Sequence, residues 1–272
     1  MRFASPVRPE YLDGRHYDSA GGDYYTSPAK LAGDFAPVRY RRELGWFRRF
    51  CPRGRVLDVG CNTGAFLHQL RTQHPDNYDV LGLDVSGPAL QHAARLGIPV
   101  SAACFDDPAA ADAPNGPFDA ITFWAVLEHV PDPLSFLHRA SSLLRPGGYA
   151  FIVVPNARSL AVRLLGARYR YVMAEHINWF SSASLRRLIE STPALSIVAA
   201  TTTHFNPMVI WQDATRPRAE VPAAERARLM VRTNVWKQTA SAAPARWAYA
   251  ATERALGRLG LADNLTFVVR RG

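Results

Sequence analysis

Between residues 55 and 156 the chain alternates short apolar runs with longer stretches whose apolar positions recur every three or four residues. The short runs "RVLDVG" (55–60), "YDVLGLDV" (78–85), "PVSAAC" (99–104), "FDAITFW" (118–124) and "GYAFIVVPN" (148–156) read as strands. Between them "GAFLHQLRTQH", "PALQHAARLG" and "DPLSFLHRASSLLR" carry the helical period. Strands apolar on both faces and joined through helices predict a parallel sheet covered on both sides. The right-handed crossover rule then makes it a doubly wound α/β sheet.

Beyond Asn156 the pattern changes. An arginine-rich, aromatic segment (157–180) precedes a helix with its own cap, "SSASLRRLIES", and a strand candidate, "ALSIVAATTTHF". Residues 207–262 are rich in Pro, Ala and Arg and include the helical "RWAYAATERALGRLG". The final run "NLTFVVRR" (264–271) alternates as a last strand. Residues 207–262 offer little core of their own, so they read as a helical insertion before that strand rather than a second domain. The Ala/Pro/Arg bias of 214–227 reads as loop or helix edge. The expected organisation is a single domain over 1–272: an N-terminal arm (1–54), a ligand-binding core (55–156), a lid (157–180) and a C-terminal part (181–272).

Composition narrows the class. At 272 residues with 48% apolar and 20% charged content, the chain has the make-up of an ordinary globular protein. The net charge of +9 is almost entirely arginine, since Lys30 and Lys237 are the only lysines. The arginines are scattered and no nucleic-acid module is recognisable, so nucleic acid is not an expected partner. Three cysteines without metal-ligand spacing suggest neither a disulfide framework nor a zinc site. No run has transmembrane length and the start of the chain does not read as a signal peptide, so the expectation is a cytoplasmic protein without stable membrane insertion. A homodimer is an allowed assembly.

The unusual residues fall at strand ends, where open parallel sheets bind ligands. "VLDVGCNTG" places Asp58 and Gly60 at the close of the first strand and Gly64 at the start of the next helix, with Asn62 between. A third glycine of the dinucleotide fingerprint is missing, and so is the lysine of a P-loop. Asp84 closes the second strand, where a carboxylate can accept from two vicinal ribose hydroxyls. Such a turn suits a ligand with a ribose and an amino-acid end but no phosphate.

The run "VLDVGCNTG … LGLDVSGPAL … FDAITFWAVLEHVPDPLSFLHRASSLLRPGGYAFIVVPN" resembles the class I S-adenosylmethionine-dependent methyltransferases over about residues 55–156. Within them, "VLEHVPDP", "LLRPGG" and "VPN" are similar to the small-molecule branch that includes the ubiquinone-biosynthesis O-methyltransferases and many sugar and natural-product enzymes. "EHINWFSSASLRRLIE" resembles a His-x-x-x-Phe-Ser segment of the same relatives. The resemblance implies a mostly parallel seven-stranded sheet and S-adenosylmethionine as cofactor. It implies that Gly60 and Gly64 wrap the methionine portion, Asp58 organises the loop and Asp84 holds the ribose. It places Asp106 at the adenine amino group, Val85 and Phe105 against the ring, and Trp124 near the sulfonium. Asn62 contacts the cofactor's carboxylate or supplies a left-handed backbone, and the second is the expectation.

Some ubiquinone-branch relatives carry an acidic residue, and others His, three positions before the Glu of "LEH". Here that position is Ala125, so no metal is expected. A hydroxyl acceptor needs a base, and two histidines compete, His176 in the lid ahead of His129 after the fourth strand. Each has a bland alternative as a hydrogen-bonding or hinge residue. Tyr17, Tyr24 and Tyr25 could close over the cofactor or pack on the sheet edge. Arg158, Arg163, Arg168 and Arg170 could meet a substrate anion or form a solvated face. The expected reaction is methyl transfer to an oxygen of a small-molecule acceptor. The rivals are an N-methyltransferase acting on an amine, a non-catalytic cofactor-binding subunit, and a nucleic-acid methylase.

Overall fold

The computed structural model describes residues 2–3, 7, 9–12, 16–17, 24–107, 109, 114–215, 223–238 and 243–272. Of the stretch read as loop or helix edge over 214–227, residues 216–222 lie outside them, as does much of the arm before residue 24. The strands in chain order are β1 (Arg2–Phe3), β2 (Gly54–Val59), β3 (Tyr78–Leu83), β4 (Val100–Ser101), β5 (Phe118–Trp124), β6 (Leu144–Pro155), β7 (Asn178–Trp179), β8 (Leu195–Thr203) and β9 (Asn264–Arg271). Seven of them form one sheet in the order β4-β3-β2-β5-β6-β9-β8. Strands β2 to β6 are mutually parallel, and β9 runs antiparallel to both β6 and β8. The mostly parallel seven-stranded α/β sheet read from the sequence is therefore present. Because two antiparallel steps cancel, β8 runs in the direction of β6, and its carboxyl end shares a rim with those of β2, β5 and β6.

Both faces of the sheet are buried, as the continuous apolar runs require. Leu57, Phe123, Ile152 and Phe267 point to one face, covered by the helices Pro133–Leu143 and Ser182–Glu190 through Phe136, Leu137, Leu185 and Ile189. Val56, Phe151 and Val268 point to the other, beneath Phe47 of the helix Arg41–Phe50 and Phe66 and Leu67 of the helix Ala65–Gln73. Phe47 is fully buried and its ring lies 4.8 Å from that of Phe151. Burying a side chain of this kind is worth about 1.5–3 kcal/mol, which anchors the N-terminal segment to the sheet.

Local chemistry sets the boundaries. Asp132 caps the helix Pro133–Leu143 by accepting from the Leu134 and Ser135 amides, and Pro133 opens it, so "VPDP" is a helix start. Ser181 and Ser184 form a reciprocal capping box at the helix Ser182–Glu190. The expected strand at 99–104 shrinks to two residues. Ser101 Oγ takes the Ala103 amide at 3.1 Å and turns the chain out of the ladder. The helix expected to reach Arg145 stops at Leu143, ahead of Pro146 and the left-handed Gly147 (φ 78°). A small pairing went unforeseen: β1 and β7 join the start of the chain to the segment after His176. The insertion contains the helices Pro207–Thr215, Ala223–Gln238 and Ala243–Arg258, the last packed on β8. No described helix is long and apolar enough to cross a membrane.

Candidate active site

Two groups of side chains meet at the carboxyl rim. The first surrounds the turn after β2. Gly60 (φ 70°), Asn62 (φ 51°) and Gly64 (φ 78°) are all left-handed. A Cβ on Gly60 would lie 2.6 Å from Val126 Cγ2, and one on Gly64 would lie 2.6 Å from Ile98 Cδ1. Packing against the protein, as well as backbone conformation, therefore demands these glycines. Asn62 uses its side-chain oxygen on the Thr63 amide at 2.8 Å and donates its own amide to Asp84 Oδ2 at 2.8 Å. Asp84 Oδ1 accepts from the Ser86 amide at 2.9 Å. Burial raises the Asp84 pKa despite these backbone bonds. The carboxylate is thus fixed at the end of β3 and keeps lone pairs for further donors, beside the half-exposed Val85.

Asp58 sits below this turn, buried, accepting from Thr122 Oγ1 at 2.5 Å. Burial pushes it up to about 7, the Thr122 bond opposes the rise, and the nearby Asp84 adds to it. Trp124, closing β5, lies edge-on to Phe66 at 5.1 Å, and its buried indole Nε1 has no hydrogen-bond partner among the described residues. Asp106 is exposed and accepts from Cys104 Sγ at 3.1 Å. Phe105 corrects one expectation. It is buried between Phe123 and Phe136 in the core and offers no face to a ligand.

The second group lines a cavity of about 440 Å³ beyond the ends of β5, β6 and β8. His129 Nδ1 lies 3.0 Å from the Glu175 carbonyl and 2.9 Å from Tyr17 Oη. A carbonyl can only accept, so the proton sits on Nδ1 and Nε2 carries the lone pair. Burial pushes His129 down to about 4, although the Glu175 bond favours its protonated form. His176 stands edge-on to His129, with ring centres 4.8 Å apart. Glu128 is fully buried and neither carboxyl oxygen has a hydrogen-bond partner among the described residues; burial raises it to about 8. One ligand atom from each of Glu128, His129 and His176 falls within 4.8 Å of the others, a donor set able to hold a divalent cation. His176 was not foreseen in such a set, because the lid brings it in from far along the chain.

Arg39 and His204 also line the cavity, and His204 pairs with Glu43; sequence reasoning singled out none of the three. The Arg39 guanidinium stacks 4.5 Å over Tyr40, stands 3.9 Å from Asp34, and leaves 32% of its side chain open to the cavity. His204 Nε2 lies 2.8 Å from Glu43 Oε1. Burial alone would raise Glu43, but the His204 hydrogen bond and charge and the Arg39 charge hold it down at about 2. Tyr24 and Tyr25 line the cavity, as the sequence allowed, and Tyr17 reaches His129. Of the lid arginines, Arg170 is locked in a buried pair with Asp213 at 2.6 Å, and Arg168 and Arg163 donate to the Ala214 and Arg158 carbonyls. Those three are structural partners, which their acid-free sequence neighbourhood concealed.

Comparison with known proteins bears on this geometry. The family model described as "Methyltransferase domain" matches residues 36–192. The chain belongs to the methyltransferase family. The ubiquinone biosynthesis O-methyltransferase of Photorhabdus laumondii is 32% identical to this methyltransferase over 219 residues, 68% of this chain and 86% of that one. The enzyme of the same name from Pectobacterium atrosepticum is 33% identical over 150 residues, and the match spans 51% of this chain but only 61% of the relative. A solved S-adenosylmethionine-dependent methyltransferase from Thermotoga maritima superposes with a TM-score of 0.56 at 16% identity, covering 95% of each chain, and shares the fold. This is a class I methyltransferase whose cofactor is S-adenosylmethionine. The donor set at the β2–β3 rim fits that cofactor: an anchored carboxylate with spare lone pairs, an apolar neighbour, and no lysine or third glycine for a pyrophosphate.

Proposed function

We propose that this methyltransferase methylates a hydroxyl oxygen of a small-molecule acceptor bound in the 440 Å³ cavity. The observation that carries the reading is the Asp84 carboxylate tied to the Asn62 amide of the glycine turn, on the same carboxyl rim of the sheet as the histidine-lined cavity. Asp84 would accept the ribose hydroxyls, Val85 and Asp106 would border the adenine, and the 60–64 turn over Asp58 would hold the amino-acid end with Trp124 near the sulfonium. Arg39 suits an anionic group in the same space. When bound, S-adenosylmethionine supplies an electrophilic methyl group. The protein's task is to align the acceptor and shed water, where positioning supplies much of the rate. His129 and His176 would orient the acceptor, since burial leaves His129 a weak base. Oxygen is preferred to nitrogen because the curated relatives act as O-methyltransferases. Three free cysteines are in keeping with a cytoplasmic setting.

The test has two parts. Asp84→Ala should weaken cofactor binding about 10–100-fold by calorimetry, the loss expected for hydrogen bonds to a charged group. Unchanged affinity would remove the assignment. A panel of phenols, sugars and amines, read by release of S-adenosylhomocysteine, then decides the acceptor atom; turnover of amines alone favours the N-methyl reading. A second reading rests on Glu128, His129 and His176, which would hold a divalent cation whose Lewis acidity would make the acceptor hydroxyl easier to deprotonate. Loss of activity on chelation, restored by one metal, would support it.

A further inference from the structure

Asn62, Ala125 and His204 are the only described non-glycine residues with left-handed backbone, at φ 51°, 60° and 61°. Each lies just beyond a strand end on the same rim, after β2, β5 and β8 respectively. Asn and His adopt that conformation more readily than most residues and Ala does not, but it is uncommon for any residue with a Cβ. Strain of this kind persists where the surroundings over-determine it and clusters at functional sites. At His204 those surroundings are visible. The Asp263 amide donates to the His204 carbonyl at 2.8 Å, and the Tyr249 hydroxyl donates to the Phe205 carbonyl. The result is an imidazole turned toward Glu43, 161 residues away in sequence.

The pairing defines the tautomer. An ionised carboxylate only accepts, so in the neutral ring the His204 proton lies on Nε2 and the lone pair on Nδ1. Nδ1 has no partner among the described residues, and the side chain, 31% exposed, forms part of the cavity wall. The charged and titratable groups around it are Glu43 and Arg39 on the N-terminal side, Asp263 before β9, and Tyr249 with the Arg42–Glu253 pair from the insertion helix. His129 presents the opposite case: its Nδ1 is held by a carbonyl, and burial disfavours a positive ring.

We propose that His204 is the catalytic base, oriented by Glu43, for an acceptor that bears a hydroxyl group. In the step, the acceptor O–H bond breaks and its proton passes to His204 Nδ1. The oxygen's electron pair forms the new C–O bond as the methyl carbon leaves sulfur, which retains the C–S pair. The imidazolium then returns its proton to water. Glu43 never gives up its charge; it is a positioning residue that keeps Nδ1 aimed at the acceptor and stabilises the positive ring, the arrangement by which a buried carboxylate supports a histidine base. This inference rests on the methyltransferase reading and extends it to the acceptor's chemistry.

The test uses the full chain. His204→Gln keeps a donor for Glu43 but cannot take up a proton, and His204→Ala removes the ring. Both should lower kcat at neutral pH by about 10²–10⁴-fold, the usual worth of a positioned base, while cofactor affinity by calorimetry stays unchanged. Added imidazole, or acceptors with more acidic hydroxyls, should recover part of the loss for His204→Ala. Glu43→Gln should give a smaller fall in kcat. Nitrogen-resolved NMR of the wild-type protein should show His204 as the Nε2–H tautomer, and Glu43→Gln should lose that preference. Full activity of His204→Gln with the wild-type pH profile would overturn the proposal, and so would an Nδ1–H tautomer in wild type. Failure of the wild-type chain to bind the cofactor would instead sink the methyltransferase reading beneath it. If His204→Ala does not fold, His204→Gln and the wild-type tautomer still decide.

Discussion

The proposed cofactor side and the proposed acceptor side of the rim are built in different ways. On the first, the decisive contacts are short in sequence: Asn62 to Thr63 is one residue, Asp84 to Ser86 two, and Asn62 to Asp84 twenty-two. On the second they are long: Tyr17 to His129 spans 112 residues, His129 to Glu175 46, and Glu43 to His204 161. A turn between adjacent strands can set the first geometry almost alone. The second exists only after the arm, the lid and the edge of the sheet have docked. A family can therefore keep the first side while its members diverge on the second.

Substitutions at three positions would break or sharpen that contrast. The largest effect belongs to Asp213→Ala. It leaves the Arg170 guanidinium, almost wholly inaccessible in the pair, without its counter-charge, and removes the acceptor for the Arg170 amide. Stranding a buried charge costs about 3–5 kcal/mol, read as a lower denaturation midpoint. Cofactor affinity of the folded fraction should hold while the acceptor KM rises; an equal loss of both would mean that the two sides are not separable.

Next comes a pH effect on the cofactor side. Asp58 has a folded pKa of about 7 against an ordinary value of 3.8, so the native state binds its proton more tightly than the unfolded chain. Its contribution to stability is complete below about pH 3.8 and is lost as pH rises through about 7. Asp58→Asn, which can still accept from Thr122, should flatten part of the decline in urea-unfolding stability between those limits. An unchanged slope would assign the decline to Asp84, Glu128 and Asp263, which burial also raises.

The smallest effect is at Asn62. Asn62→Gly should leave cofactor affinity and stability nearly unchanged, whereas Asn62→Val should cost about 1–2 kcal/mol for the left-handed backbone. Lost affinity in the glycine variant would show that the amide itself touches the cofactor.

The same contrast explains what the sequence disclosed. Strand and helix periods placed β2, β3, β5, β6 and β9, because each is apolar on both faces or alternates cleanly. The anchoring of Asp84 by the turn could be anticipated since strand ends and turn residues lie next to one another. Phe105 was misread because the resemblance placed it against the adenine ring, whereas its packing partners, Phe123 and Phe136, are remote in sequence. The Glu43–His204 pair left no local trace. Glu43 looks like one more charge in an arginine-rich helix, and His204 like the polar end of a threonine run. Only the direction of β8, set by the strand beside it, brings them together.

That direction has a consequence for the order of assembly. β9, the last strand in the chain, lies between β6 and β8, both of which are synthesised earlier. Until it is inserted, β8 has no neighbour to pair with and His204 has no Asp263 amide to hold its carbonyl. A nascent chain can close the glycine turn long before this, since domains begin to fold from their N-terminal parts during synthesis. The acceptor wall is completed last, so a growing chain could hold the methyl donor before it could spend it.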